Sequence, residues 1–126
     1  MYLNSFDSFV DMVSNFEGKY NLKEEDVPRK YDGVSVLLAS YGTESYEGNA
    51  FVLFKKGDKL YEVNGSHCSC HGLEDQWDPE ETTVKALRYR LENGELGEDK
   101  YSGNIFKDQL ASVLDKVERE EGTSGS

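Results

Sequence analysis

The densest concentration of reactive side chains lies between positions 66 and 71. This stretch reads Ser66-His67-Cys68-Ser69-Cys70-His71 and holds both cysteines and both histidines of the 126-residue chain. Thiolate sulfur and imidazole nitrogen are ligands that zinc prefers. Four such ligands within five consecutive residues cannot readily surround one tetrahedral ion, and the sequence has no second cluster to complete a site. Two or three of them could bind a metal with carboxylate help, and the candidate residues are His67, Cys68 and Cys70, with Glu74, Asp75 or Asp78.

The same stretch allows two other interpretations. A histidine beside a cysteine could favour the thiolate form and create a nucleophile or a redox centre. Alternatively, the cysteines are small buried hydrophobic side chains, while the serines and histidines hydrogen-bond to backbone groups in a tight connection. We favour this packing interpretation, so we expect no cofactor, with zinc as the alternative.

Helical and strand patterns surround this stretch. Apolar residues at helical spacing, Phe6, Phe9, Val10, Val13 and Phe16, predict a first helix that Ser5 caps and Gly18 ends. Three apolar runs, 34–41, 49–54 and 60–64, then predict strands. The dipeptide Gly57-Asp58 between the last two predicts an antiparallel hairpin.

Two further helices are predicted after the sheet. Asp78 is placed as an N-cap, Pro79 as the first helical residue and Glu81 as the partner in a capping box, with the helix closing at Asn93-Gly94. Trp77 precedes this cap, so it is interpreted as a hydrophobic staple, with an interface anchor as the alternative. The last helix is defined by Ile105, Phe106, Leu110, Val113, Leu114 and Val117.

These elements predict an α+β fold, with an antiparallel sheet of three or slightly more strands packed on one face by about three helices. Residues 1–121 are expected to form a single domain, and 122–126 have the composition of a flexible tail or a cloning remnant. The predicted core residues are Phe9, Val13, Phe16, Val36, Leu38, Val52, Leu87, Leu110 and Leu114.

Charge is the strongest global feature. The sequence has 25 acidic and 14 basic residues, and its formal net charge is −11. Such a surface repels phosphate backbones and anionic membranes, so we expect neither direct nucleic-acid binding nor membrane binding, and a basic protein is the more plausible partner. The N-terminus lacks the pattern of a secretory signal, which predicts an intracellular protein. The candidate binding residues are Trp77, Glu74, Asp75, Asp78, Glu80, Glu81, Glu95 and Glu98.

The segment from Leu60 to Trp77, which reads LYEVNGSHCSCHGLEDQW, resembles an uncharacterised family of small acidic proteins encoded by tailed bacteriophages and prophages. The continuation through Pro79-Glu80-Glu81-Thr82 and Ala86-Leu87 is similar to the same family. The resemblance implies the cytoplasm of an infected bacterial host and a host protein as partner, with nucleic-acid-binding defence complexes among the candidates.

Source and charge together suggest an accessory protein that binds and modulates or inhibits a host macromolecule, for example by mimicking nucleic acid. We therefore expect a binding protein rather than an enzyme. The alternatives are a metal- or thiol-dependent activity centred on residues 67–71, and a nucleotide-binding module in which Tyr41, Tyr46 and Tyr61 stack on a base.

Overall fold

The computed structural model describes residues 2–4, 6–19, 22–41, 48–67, 73, 76–93, 98–99, 103–104 and 106–125. The chain forms two compact units, Met1–Glu81 and Thr82–Ser126. The first contains β1 (Tyr2–Asn4), α1 (Phe9–Glu17), β2 (Ser35–Tyr41), β3 (Gly48–Lys56) and β4 (Lys59–His67), with 3₁₀ turns at Glu24–Asp26 and Arg29–Tyr31. Next come β5 (Glu80–Thr82), α2 (Val84–Glu92), β6 (Glu98–Asp99), β7 (Gly103–Asn104) and α3 (Lys107–Gly125). The predicted α+β class is confirmed.

Five strands form the main sheet in the order β1-β2-β3-β4-β5. The pairs β2–β3 and β3–β4 are antiparallel, as predicted, and β1 adds in parallel beside β2. The predicted hairpin is confirmed, because Lys56 pairs with Lys59 across a two-residue turn in which Gly57 has a φ of 65°. Glycine adopts this left-handed backbone without steric cost.

A bulge in β2 decides which side chains face the first helix. Val36 pairs with Phe54 and Leu38 with Leu53, so Leu37 is the extra residue. The sheet side chains that share one core cluster with the buried face of α1 are Ala39, Tyr41, Ala50, Val52, Phe54 and Val63. Phe51 and Leu53 alternate with them along β3 and are also buried. The continuous apolar run of β3 is typical of a strand that is buried on both faces.

The first helix begins later than predicted. Its N-cap is Ser8, whose hydroxyl accepts a hydrogen bond from the backbone N–H of Asp11 at 3.1 Å, so the prediction of Ser5 is wrong. Phe6 lies before the helix and packs in the core at 1% exposure, a contact that favours the later cap. The helix ends at Gly18, as predicted, and this glycine adopts a left-handed conformation. Met12, Val13 and Phe16 form its buried face.

The second helix also begins later than predicted. Thr83 is its N-cap and accepts a hydrogen bond from the N–H of Ala86 at 3.1 Å. The prediction of Asp78 as N-cap is wrong because residues 80–82 pair with the sheet as β5. The helix ends at the predicted position, with Asn93 as its C-cap; Gly94 lies outside the described residues.

The third helix follows the predicted pattern, with buried side chains at Leu110, Val113, Leu114 and Val117. Phe106 is also buried but precedes the first residue of the helix, and Ile105 lies outside the described residues. The helix continues to Gly125, into the segment predicted as a tail. Most predicted core residues are buried, whereas Phe9 and Val36 are only partly buried and pack against the core. No helix in the described part of the chain is long and apolar enough to cross a membrane.

Candidate binding surfaces

Trp77 packs into an aromatic cluster in the first unit. Its ring centroid lies 4.6 Å from that of Tyr31, 5.1 Å from Phe16 in an edge-to-face arrangement, and 5.4 Å from Phe54 in a stacked one. The staple interpretation is wrong because no helix begins at Asp78. Trp77 instead joins α1, the second 3₁₀ turn and β3 through ring contacts, and its role as an interface anchor stays a prediction.

The tyrosines predicted as a stacking surface do not form one in the described structure. Tyr41 is 6% exposed and packs against Phe6 at 5.3 Å, whereas Tyr61 stacks on Phe54 at 5.4 Å. Tyr46 lies outside the described residues. Core packing therefore accounts for Tyr41, and the structure gives no support to a base-stacking site at these residues.

A polar contact that the sequence analysis did not identify joins α1 to the second 3₁₀ turn. The Glu17 carboxylate accepts hydrogen bonds from Lys30 Nζ at 2.8 Å and from the Tyr31 hydroxyl at 3.0 Å. The bond from Lys30 is the main cause that lowers the pKa of Glu17 below its ordinary value. Burial, assisted by the neighbouring Glu17 carboxylate, raises the pKa of Tyr31. The arrangement fixes the ring of Tyr31 against Trp77.

Leu73 and Gln76, which precede Trp77 in the chain, lie close to Gly65 on β4. A Cβ atom at Gly65 would lie 3.1 Å from Leu73 Cδ2 and 3.3 Å from Gln76 Oε1, so the absence of a side chain permits this close packing. Leu73 is 2% exposed and belongs to the core. Leu73 is therefore held by apolar contacts with the core cluster of the first unit.

The predicted metal or thiol site falls largely outside the described residues. His67 ends β4, while Cys68, Ser69, Cys70 and His71 lie outside, as do Glu74 and Asp75. Among the residues that are described, no group of three or more His, Cys, Asp or Glu side chains could hold a metal ion. The metal and thiol interpretations stay hypotheses.

Three of the predicted acidic binding residues are near neighbours in sequence, in the stretch Asp78–Glu81, which we call the acidic segment. Asp78, Glu80 and Glu81 are all exposed, and the last two lie on β5, the final strand in the sheet order. Lys59 Nζ lies 3.7 Å from Glu81 Oε1, but both side chains are more than half exposed, at 60% and 57%. Such a pair contributes little.

The other two carboxylates of the acidic segment, those of Asp78 and Glu80, form no ion pair with any residue that the structure describes. The segment thus presents two uncompensated negative charges and one weakly paired one. Of the remaining acidic candidates, Glu95 lies outside the described residues. Glu98 lies on β6, away in sequence from the segment.

A second surface, missed by the sequence analysis, lies in the second unit. Arg88 Nε donates to Glu118, and its Nη2 donates to Asp115 at 2.5 Å, which links α2 to α3 and raises the pKa of Arg88. Beside this link lies an open groove of 530 Å³, lined by Val84, Lys85, Arg88, Tyr89, Glu92 and Glu118. Tyr89 is 66% exposed. An aromatic residue on the polar face of the predicted helix was the available signal.

Comparison of the chain with protein-family models, with curated proteins and with solved structures found no match.

Proposed function

We propose that this chain is a small acidic bacteriophage accessory protein that binds a host macromolecule and modulates or inhibits it. The observation that carries the proposal is the acidic segment, where three exposed carboxylates project from a short stretch of extended chain. The role is one of binding rather than catalysis, because what the segment offers a partner is charge held in a defined place.

The segment is prepared for binding because both of its ends are held. Trp77 packs in the aromatic cluster immediately before it, and residues 80–82 are part of the sheet. A segment that is already ordered loses less conformational entropy when a partner binds. Its carboxylates can therefore contribute electrostatic attraction without a large ordering cost.

The partner that fits is a positively charged protein surface. Complementary charges steer two proteins together and reject partners of the same sign, and the formal net charge of −11 adds a long-range attraction to any basic partner. Basic grooves that hold nucleic acid are one such surface, because closely spaced exposed carboxylates resemble phosphates in charge. On this basis, a nucleic-acid-binding host complex is the partner class that we propose.

The experiment is a pulldown from bacterial host lysate with three versions of the protein. The test variant is Asp78→Asn/Glu80→Gln/Glu81→Gln. The matched control is Glu24→Gln/Glu25→Gln/Asp26→Asn in the first 3₁₀ turn, where all three side chains are also exposed. Each variant removes three negative charges and leaves the core unchanged.

We expect a host protein that the wild type and the control capture and the test variant does not, with equal thermal melting curves for all three. Equal loss in both variants would show that only overall charge matters. Equal capture by all three would place the binding surface elsewhere. Either result would contradict the proposal.

A further inference from the structure

The exposed face of α2 carries three residues in a line, Lys85, Tyr89 and Glu92, which we call the α2 stripe. Their spacing of four and then three residues places them on one side of the helix. Tyr89 stands out as a large hydrophobic side chain exposed to 66%. Lys85 and Glu92 are exposed and form no ion pair within the described part of the chain.

The two charges of the α2 stripe are complementary to an inverted copy of themselves. Seven residues separate them, which is about 10.5 Å along a helix that rises 1.5 Å per residue. The midpoint falls between Arg88 and Tyr89. A two-fold axis through that midpoint, perpendicular to the helix, sets Lys85 of each copy opposite Glu92 of the other. A parallel copy would set like charges together, so the match selects the antiparallel arrangement.

We propose that α2 pairs antiparallel with α2 of a second copy of this chain, forming a two-fold symmetric dimer. Two reciprocal ion pairs between Lys85 and Glu92 set the register, and symmetry closes the assembly at two copies. Tyr89 lies next to the axis, so each ring enters the groove of the other copy. Asp115 and Glu118 hold the Arg88 side chain that forms one wall of this groove.

The dimer responds to salt in the opposite way from the proposed partner binding. Two copies with a formal net charge of −11 repel each other at long range. At physiological ionic strength, salt largely removes this repulsion between charges that are more than about 8 Å apart. The Lys85–Glu92 pairs are in contact and are screened less than this long-range repulsion, so self-association strengthens as salt rises from low to physiological levels. The proposal is independent of the acidic segment, so the Asp78→Asn/Glu80→Gln/Glu81→Gln variant dimerises at least as well as the wild type.

The test is sedimentation velocity over a concentration series of the full chain, with two single variants that each break the charge match. Lys85→Glu places two pairs of glutamates in contact across the axis, and Glu92→Lys places two pairs of lysines there. We expect both variants to be monomers alone and to form a heterodimer when mixed, because the mixture restores both opposite-charge pairs. A glutamate at position 85 lies in the first turn of α2 and a lysine at position 92 in the last turn, where the helix dipole favours these charges. Both are good helix formers, so the helix is retained.

Two further variants separate a specific interface from a general charge effect. Lys116→Glu on the exposed part of α3 makes the same charge change as Lys85→Glu and should leave the dimer intact. Tyr89→Ser should weaken self-association by at least about tenfold, because it removes the aromatic contact. A wild type that stays monomeric throughout the series would overturn the proposal. So would a mixture of the two charge variants that does not associate, or equal loss in Lys85→Glu and Lys116→Glu.

Discussion

Among single residues, Tyr31 couples a polar contact to the aromatic cluster. Its hydroxyl donates to Glu17 at 3.0 Å in a partly buried position, so Tyr31→Phe should lower the free energy of unfolding by about 1 kcal/mol at neutral pH. Burial is the main cause that raises the pKa of Tyr31 above its ordinary value of 10.0. The unfolded chain loses this proton near pH 10 whereas the folded chain keeps it, so the stabilisation is present below pH 10 and is lost above it.

Urea unfolding at neutral pH and above pH 10 measures both effects. When the pH is raised from neutral to above 10, the free energy of unfolding should fall more for the wild type than for Tyr31→Phe. Tyr2, whose pKa is also raised by burial, remains in both proteins and supplies the background. An identical loss in both proteins would show that the Tyr31 hydroxyl is not shielded as described.

Trp77 provides a second test at the residue scale. Trp77→Ala removes ring contacts with Phe16, Tyr31 and Phe54, and we expect a loss of about 3 kcal/mol in stability. Trp77→Phe keeps an aromatic ring against Phe54 and should cost clearly less. Circular dichroism melting curves compare the two variants. If Trp77 were mainly an interface anchor, Trp77→Phe would reduce partner affinity while leaving the melting curve unchanged.

The cysteine and histidine stretch calls for a direct chemical measurement. If Cys68 and Cys70 are packing residues, purified protein should contain no stoichiometric zinc, and both thiols should alkylate slowly in the folded state. Elemental analysis and mass spectrometry after brief alkylation measure these two properties. One equivalent of tightly bound zinc, or rapid alkylation at neutral pH, would support the metal or thiol hypothesis instead.

At the scale of elements, the junction of β5 and α2 allows a test of where α2 begins, because both Asp78 and Thr83 could cap it. Thr83 caps α2, so Thr83→Ala should cost about 1 kcal/mol in stability. Asp78→Ala should have little effect on stability, because Asp78 is exposed and caps no helix. Urea unfolding of both variants shows which of the two residues caps α2. A larger loss for Asp78→Ala than for Thr83→Ala would mean that the helix begins where the sequence pattern placed it.

The same junction shows why some elements were predictable and others were not. The β3–β4 hairpin follows from a local signal, since Gly57 supplies the backbone conformation that a two-residue turn needs. The local sequence allows α2 to begin after Asp78 or after Thr83, because both are good capping residues. The choice between them depends on residues 80–82 joining the sheet, which is a tertiary interaction that no short window of sequence contains.

For the whole molecule, the periodicity of apolar residues was enough to predict the α+β class, but it did not predict the aromatic cluster or the placement of the acidic segment. Each amphipathic stretch reveals its own buried face, which is why most of the core was predicted correctly. The aromatic cluster is different, because Phe16, Phe54 and Trp77 come from three distant parts of the chain. Likewise, the sequence was enough to name the acidic candidates, whereas the placement of Glu80 and Glu81 on an exposed strand of the sheet is a tertiary feature that composition does not contain.

The rate of association with the host partner shows whether the charge of the acidic segment drives binding. Once the captured host protein is identified, its association rate constant with this chain can be measured across about 0.05 to 0.5 M salt by stopped flow or a surface-based method. Exposed opposite charges steer encounter, so their screening slows association and changes dissociation much less.

We predict that the rate constant for the wild type and the Glu24→Gln/Glu25→Gln/Asp26→Asn control falls by about tenfold or more over this range. The Asp78→Asn/Glu80→Gln/Glu81→Gln variant should start lower and depend less on salt. A wild-type association rate that does not change with salt, or a variant that matches the wild type at every salt concentration, would show that the acidic segment does not steer binding.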